Sequence, residues 1–364
     1  MFTQMRVKNL ATGSIVYGKL PRGCMLCQQG LKTIIFLTGL CPCSCFYCPL
    51  SEYRRQRDLI IVNETEITNP FEYFKRLEAE ILKSGSKGAS LTGGDPLLKH
   101  QLAVQTISYL KDQFGEKFHV HIYTTGLLLK RDRLKELADV GLNELRIHAP
   151  LDKLEEALKL AREWGDKLSV GLEYPALPRS RDFLLKLLNL AEKYEVDFIN
   201  LNQLEFTESN SLSLQLRGFK LSKDYRAAEG SEEAALELIR YAESVSANTT
   251  VHYCPVRVKD HFQTGLRFYR NANLVAMTYQ LVTEAGTLIE VMYDELGPYS
   301  SKYRQFYPAK YLHPLLIDLV KKGKILEEAP SVRKLVLEET PFNHQMVPRT
   351  RGGAFQCFSK YSPD

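Results

Sequence analysis

The stretch "TIIFLTGLCPCSCFYCPL", residues 33–50, passes from an eight-residue apolar run into a loop that holds Cys41, Cys43, Cys45 and Cys48 within eight positions. A short β-branched run ending at a glycine reads as a strand, so the thiols lie at its C-terminal end. From here to about residue 206 the pattern repeats, with further strand-like runs at 88–94, 118–126, 142–150, 168–175 and 196–206. Amphipathic segments separate them. "NPFEYFKRLEAEILKSG" reads as a helix with Asn69 as cap and Pro70 in its first turn, and "SRDFLLKLLNLAEKYE" as one capped by Ser180. Strand alternating with helix is the pattern of βα units and a parallel sheet.

The two faces of these strands differ. Period-2 reading puts Ile35 and Leu37, Val120 and Ile122, Leu145 and Ile147, Val170 and Leu172, and Ile199 and Leu201 on one side, under the helices. The other side carries Ser90, Thr92, His119, His121, Tyr123, Thr125, Arg146, His148, Ser169, Glu173, Asn200 and Asn202. A doubly wound sheet needs both faces apolar, and a closed eight-stranded barrel fills its interior with branched apolar residues. A polar inner face therefore predicts an open, partial barrel around a polar ligand.

At 364 residues, with 44% hydrophobic and 25% charged residues, the chain is long enough for a large core and has the composition of a globular protein, not a disordered one. Its first twenty residues lack the apolar core of a signal peptide, and no run of about 18 apolar residues occurs, so the reading is a soluble, cytoplasmic protein with no membrane partner. In that compartment clustered thiols signal metal or redox chemistry instead of disulfides. The formal charge is +5, and from residue 251 onward fifteen Lys and Arg face eleven Asp and Glu, a mild basic surplus that fits either a polyanionic partner or a solvated surface. The division expected is an N-terminal segment (1–32), the barrel (33–260, with 207–231 an insertion or loop), and a small α+β appendage (261–364) with a hairpin turning at residues 284–286 and a helix near 311–322.

Cys41, Cys45 and Cys48 are spaced C-x3-C-x2-C. Three thiolates from one loop can hold a [4Fe–4S] cluster and leave one iron without a protein ligand, whereas a structural zinc site wants four closed ligands. With Tyr47 as the aromatic residue of C-x3-C-x-aromatic-C, and with "TGGDP" (92–96) ending the second strand, the sequence resembles the radical S-adenosylmethionine (SAM) superfamily and its partial (β/α)6 barrel. It looks like a group described as related to pyruvate formate-lyase activating enzymes. The resemblance implies an enzyme in which the methionine end of SAM chelates the vacant iron. Reductive cleavage then yields a 5′-deoxyadenosyl radical that takes hydrogen from a substrate. It further implies Tyr47 near the adenine, Gly93 and Gly94 allowing close backbone approach, Asp95 holding the strained turn and facing the amino group, and Thr125, Arg146 and Glu173 toward the ribose and carboxylate. An electron donor such as ferredoxin or flavodoxin is implied as well.

Other residues carry two readings. Cys43, between the ligands, is read as a bystander, and Cys357 as structural. Cys24 and Cys27, a C-x2-C flanked by glycines, either form an auxiliary metal site with Cys254, beside His252, or shape a turn next to a buried thiol. His119 and His121 share a strand face as ligands do, and read as core histidines bonded to neighbours. "YRRQR" (53–57) either binds an anionic substrate or is a solvated face. From the basic last third and Arg54, Arg55 and Arg57, RNA is the first substrate expected. Peptide or protein modification, including activation of a glycyl-radical enzyme, follows. A non-catalytic iron–sulfur or zinc protein that binds RNA or carries electrons is the reading of another class.

Overall fold

Short strands with one apolar side need a cover on that side, and helices with one apolar stripe supply it. The computed structural model describes residues 6–223, 226–276, 280–283, 286–295 and 332–341. The chain begins with β1 (Val7–Asn9), β2 (Ile15–Tyr17) and helix α1 (Arg22–Gln28). It continues through β3 (Lys32–Thr38), the hairpin β4 (Ile60–Val62) and β5 (Thr65–Ile67), α2 (Tyr73–Ser84), β6 (Gly88–Gly93), α3 (His100–Phe114), β7 (His119–Thr124) and α4 (Arg131–Asp139). There follow β8 (Glu144–Ile147), α5 (Leu151–Arg162), β9 (Ser169–Ala176), α6 (Arg181–Lys193), β10 (Phe198–Gln203), α7 (Ser211–Leu216), α8 (Ser231–Ser244), β11 (Thr250–Cys254) and α9 (Leu266–Val275).

These strands form one sheet in the order β1-β2-β11-β10-β9-β8-β7-β6-β3-β4-β5. The run from β3 to β11 is parallel throughout, and β4 and β2 flank it antiparallel. Because β1 and β5 end the sheet, it does not close, which is the partial barrel expected, with β11 as a seventh parallel strand. The ten helix-side residues named from the pattern are all buried in one core. The expected caps divide: Asn69 accepts from Phe71 N and caps a short 3-10 turn ahead of α2. Ser180 makes no cap bond at α6, because its hydroxyl donates back to Leu177 O at 2.6 Å.

The sequence pattern did not place α1. This helix contacts β3, β6, β7 and a π-helical segment at Val258–Gly265. A Cβ on Gly23 would stand 2.8 Å from the Arg146 guanidinium and the His121 ring, so only glycine lets α1 settle this close to the polar face of the sheet. Cys24 and Cys27 are therefore helical residues and not the knuckle of a turn.

The described residues through Ala276, with Val282, Thr283 and Gly286, form one compact unit. Residues 261–276, which the sequence division gave to the appendage, belong to it. A second unit contains β13 (Thr287–Glu295) and β14 (Val332–Pro341), paired antiparallel in a three-stranded sheet with β12 (Gln280–Val282). The hairpin residues 284–285, the helix expected at 311–322 and Cys357 lie outside the described residues. No helix among the described residues is long and apolar enough to cross a membrane.

Candidate functional site

At the C-terminal end of β3 the chain leaves the sheet at Thr38 and carries the four cysteines through a loop that is tied down on three sides. Gly39 N donates to Arg57 O and Gln56 N to Gly39 O, at 2.8 and 2.9 Å. The Gln56 amide donates to Cys41 O, and the Arg55 guanidinium to Cys48 O. On the second side, Gly94 N donates to Thr38 O and Asp95 N to Leu40 O, both at 2.8 Å. A Cβ on Gly93 would lie 2.1 Å from Thr38 O, and one on Gly94 2.1 Å from Leu40 O. The close backbone approach expected of this glycine pair is thus made to the root of the cysteine loop itself. On the third side Asn210, in the segment read as an insertion, donates to Tyr47 O at 3.1 Å. Phe46 and Tyr47 pack with Leu204, Leu214, Phe206 and Phe219.

All the cysteines of the loop are free and partly buried. Burial pushes the Cys41 thiol up to about 11, against the pull of the Cys43 backbone N–H, and raises Cys43 and Cys45 in the same way. Such thiols become thiolate ligands when metal displaces their protons. Three such donors on one restrained, half-buried loop fit an iron–sulfur cluster that is open at one corner. Cys43 has its N–H directed at Cys41 Sγ, 3.4 Å away, and its thiol near the Thr125 hydroxyl.

Asp95 is fully buried and holds the turn. Its carboxylate accepts from Leu97 N, Thr124 Oγ1, Thr125 N and Thr125 Oγ1, at 2.9, 3.1, 2.9 and 2.6 Å. With four donors, three of them on Oδ2, it locks the end of β6 to the end of β7. Thr125 is spent on the same lock. Tyr47 points its hydroxyl at His148 Nε2, 2.9 Å away, while His148 Nδ1 reaches Glu173 O. Since that carbonyl can only accept, Nδ1 carries the proton and the tyrosine donates. Burial keeps His148 below its ordinary range, hence neutral.

Deeper in the lumen, Arg146 is 2% exposed and bridges Glu144 and Glu173 at 2.5 and 2.9 Å, with Cys24 Sγ 3.3 Å from its third nitrogen. Glu173 also accepts from Asn200 and Asn202, both at 2.6 Å. The arginine and glutamate expected at ribose or carboxylate pair with each other and with β10, and both line the cavity under α1. This network borders a cavity of about 50 Å³, lined among others by Tyr123, Asn202, His252, Cys254 and Lys259.

Cys24, Cys27 and Cys254 are all buried near this cavity but each has its own surroundings. Cys27 bonds Gln263 Oε1 at 2.7 Å and packs with Cys254 and Val258, while Cys24 turns to Arg146. Among the described residues the group of three His, Cys, Asp or Glu donors that meet within 4.8 Å is that of His119, His121 and Glu144. The basic run is equally local. Arg54 lies over the Phe36 ring, Arg57 over Tyr53, and Arg55 holds the cysteine loop. Sequence reasoning passed over Gln56, Glu144 and Asn210. The first and last sit in loops without periodicity, and nothing in a linear pattern shows that their amides return to the backbone of the cysteine loop.

An open parallel barrel, with a three-thiol loop pinned to a glycine turn at the strand ends, defines a metal-dependent radical enzyme class. The Radical SAM superfamily pattern matches residues 35–163. A protein of Methanocaldococcus jannaschii with the provisional description of glycyl-radical enzyme activating enzyme is 37% identical over 285 residues, 75% of this chain and 73% of that one. The chain therefore belongs to the radical SAM superfamily, as an enzyme related to this group whose cofactors are a [4Fe–4S] cluster and SAM. A GTP 3′,8-cyclase of Corynebacterium glutamicum is 29% identical over 137 residues, 37% of this chain and 34% of that one. Among solved structures, Streptococcus suis SuiB bound to precursor peptide SuiA aligns with a TM-score of 0.46 at 12% identity, covering 70% of this chain and 53% of that one. The chain thus spans about half the length of that structure.

Proposed function

We propose that the protein is a radical SAM enzyme whose substrate is a polypeptide, and that it activates a glycyl-radical enzyme by removing a hydrogen atom from a backbone glycine. The observation that carries this reading is the 37% identity to the Methanocaldococcus jannaschii protein across three quarters of both chains. The RNA expectation rested on the basic last third and on Arg54, Arg55 and Arg57, and these arginines have local partners.

When bound, the cluster and SAM supply the one-electron chemistry. Cys41, Cys45 and Cys48 would hold three of the irons. Tyr47, fixed by His148 and by the Asn210 contact, would present its ring to the adenine, and the Gly93–Gly94 edge would set the distance between cofactor and loop. The apolar wall of Phe46, Leu204, Leu214 and Phe219 would exclude water from one side of the site. Asp95, Thr125, Arg146 and Glu173 serve as positioning residues beneath it. An external reductant such as ferredoxin or flavodoxin would deliver the electron.

The test is anaerobic incubation of reconstituted protein with SAM, dithionite and a glycyl-radical enzyme from the same genome, followed by electron paramagnetic resonance and 5′-deoxyadenosine quantification. A glycyl radical with matching 5′-deoxyadenosine supports the reading. Formation of 5′-deoxyadenosine that is indifferent to the polypeptide, with no protein radical, removes the polypeptide substrate and leaves the superfamily chemistry standing.

A further inference from the structure

We propose that His119, His121 and Glu144 form a binding site for one borderline divalent cation of the zinc type, at the end of the barrel opposite the cysteine loop. On β7, positions 119 and 121 share a face by strand alternation, and the parallel register sets Glu144 of β8 beside His121. One donor atom from each of the three lies within 4.8 Å of the others, and all three residues are buried.

A second observation is independent of that convergence. His119 Nε2 and both ring nitrogens of His121 are buried without a hydrogen-bond partner, and His121 has no exposed surface. Native interiors rarely leave such atoms unmet, and three in one place mark a missing ligand. Glu144 is divided in use. Its Oε1 is taken by Arg146, whereas Oε2 lies 3.6 Å from His119 Nε2, too long for a hydrogen bond and open to a shared ligand.

The nearby cations are engaged elsewhere, and the donor set selects the ion. Arg146 is neutralised by Glu144 and Glu173, and Lys111 is spent on Glu116 O, Phe118 O and Asn143 Oδ1. His119 Nε2 and both His121 ring nitrogens have no hydrogen-bond partner, so each ring has a nitrogen to offer an ion. Hard cations such as magnesium and calcium need several oxygens, which this site lacks. Two imidazoles and one carboxylate suit zinc or its neighbours. Gly23 of α1 closes over the His121 ring, so the bound ion would tie β7 and β8 together beneath that helix. Placed at the N-terminal ends of the strands, the site serves stability and not the radical reaction.

The experiment uses the full chain with Cys41, Cys45 and Cys48 replaced by alanine, so that cluster iron is absent and radical activity plays no part. Metal analysis after zinc exposure and desalting is expected to give about one zinc per chain, and the further His119→Gln/His121→Gln pair to give less than one tenth of that. Cobalt substitution is expected to give visible ligand-field bands without thiolate-to-cobalt charge transfer. Zinc added to the chelated His-intact protein should raise its Tm by at least about 3 °C, a readout that does not depend on the histidine variant folding. No retained zinc, zinc unaffected by the histidine changes, or a thiolate signature from Cys24, Cys27 or Cys254 would overturn the assignment.

Discussion

Replacing Gly94 by alanine tests whether the glycine turn positions the cysteine loop through steric closeness alone. The backbone of Gly94 does not need a left-handed conformation, so the added methyl acts only by its volume. It would stand 2.1 Å from Leu40 O and 2.8 Å from Gly39 O, both main-chain atoms that cannot rotate away. Non-bonded carbon and oxygen keep about 3.3 Å, so the root of the loop must retreat by roughly 1 Å. That movement stretches the 2.8 Å bonds from Gly94 N to Thr38 O and from Asp95 N to Leu40 O past the limit of a hydrogen bond. Two lost bonds in a partly buried turn cost about 3 kcal/mol, which for a unit of this size corresponds to a fall in Tm of roughly 6–10 °C. The assay is anaerobic differential scanning fluorimetry, paired with iron counting after reconstitution, and iron per chain should fall below half of the unmodified protein. Gly265→Ala is the control, because its Cβ would meet Asp260 O at an ordinary 3.5 Å and should leave both readings unchanged. A Gly94→Ala protein with full iron and an unaltered Tm would refute the steric account of the turn.

Alanine at Cys41, Cys45 or Cys48 should each reduce iron per chain severalfold on reconstitution, while Cys43→Ala keeps it near four; loss of iron in Cys43→Ala would make that thiol a ligand. Thr125→Val removes the hydroxyl that meets Asp95 at 2.6 Å, leaves a buried carboxylate short of one donor, and should cost about 1–3 kcal/mol by denaturant melt; an unchanged midpoint would show that the lock is dispensable. Arg146→Met strands Glu144 and Glu173 without their cation and should destabilise by about 3–5 kcal/mol, with much of the loss recovered when Glu144→Gln and Glu173→Gln are added; no recovery would mean that the arginine acts by packing and not by charge.

The thiol spacing, the strand alternation and the TGGDP turn could be read without coordinates because each is a local pattern: ligand spacing within a loop, side-chain period along a strand, glycine at a close approach. The polar inner face of the sheet followed from the same period. Roles across the lumen could not be read this way. Arg146 and Glu173 stand on the inward face as the alternation requires, yet which group meets them depends on α1, 122 positions from the arginine in the case of Cys24.

For the same reason Asp95 was legible as a turn residue but not as the acceptor that joins β6 to β7, which required β7 to lie alongside. Alternation by itself determined that His119 and His121 share a face. Only the parallel register of β7 with β8 set Glu144 beside them, and only the descent of Gly23 onto the barrel floor made that place dry. Local periodicity fixes the direction in which a side chain leaves the backbone, whereas hydrogen-bond saturation and burial are decided by elements that meet only when the chain is folded.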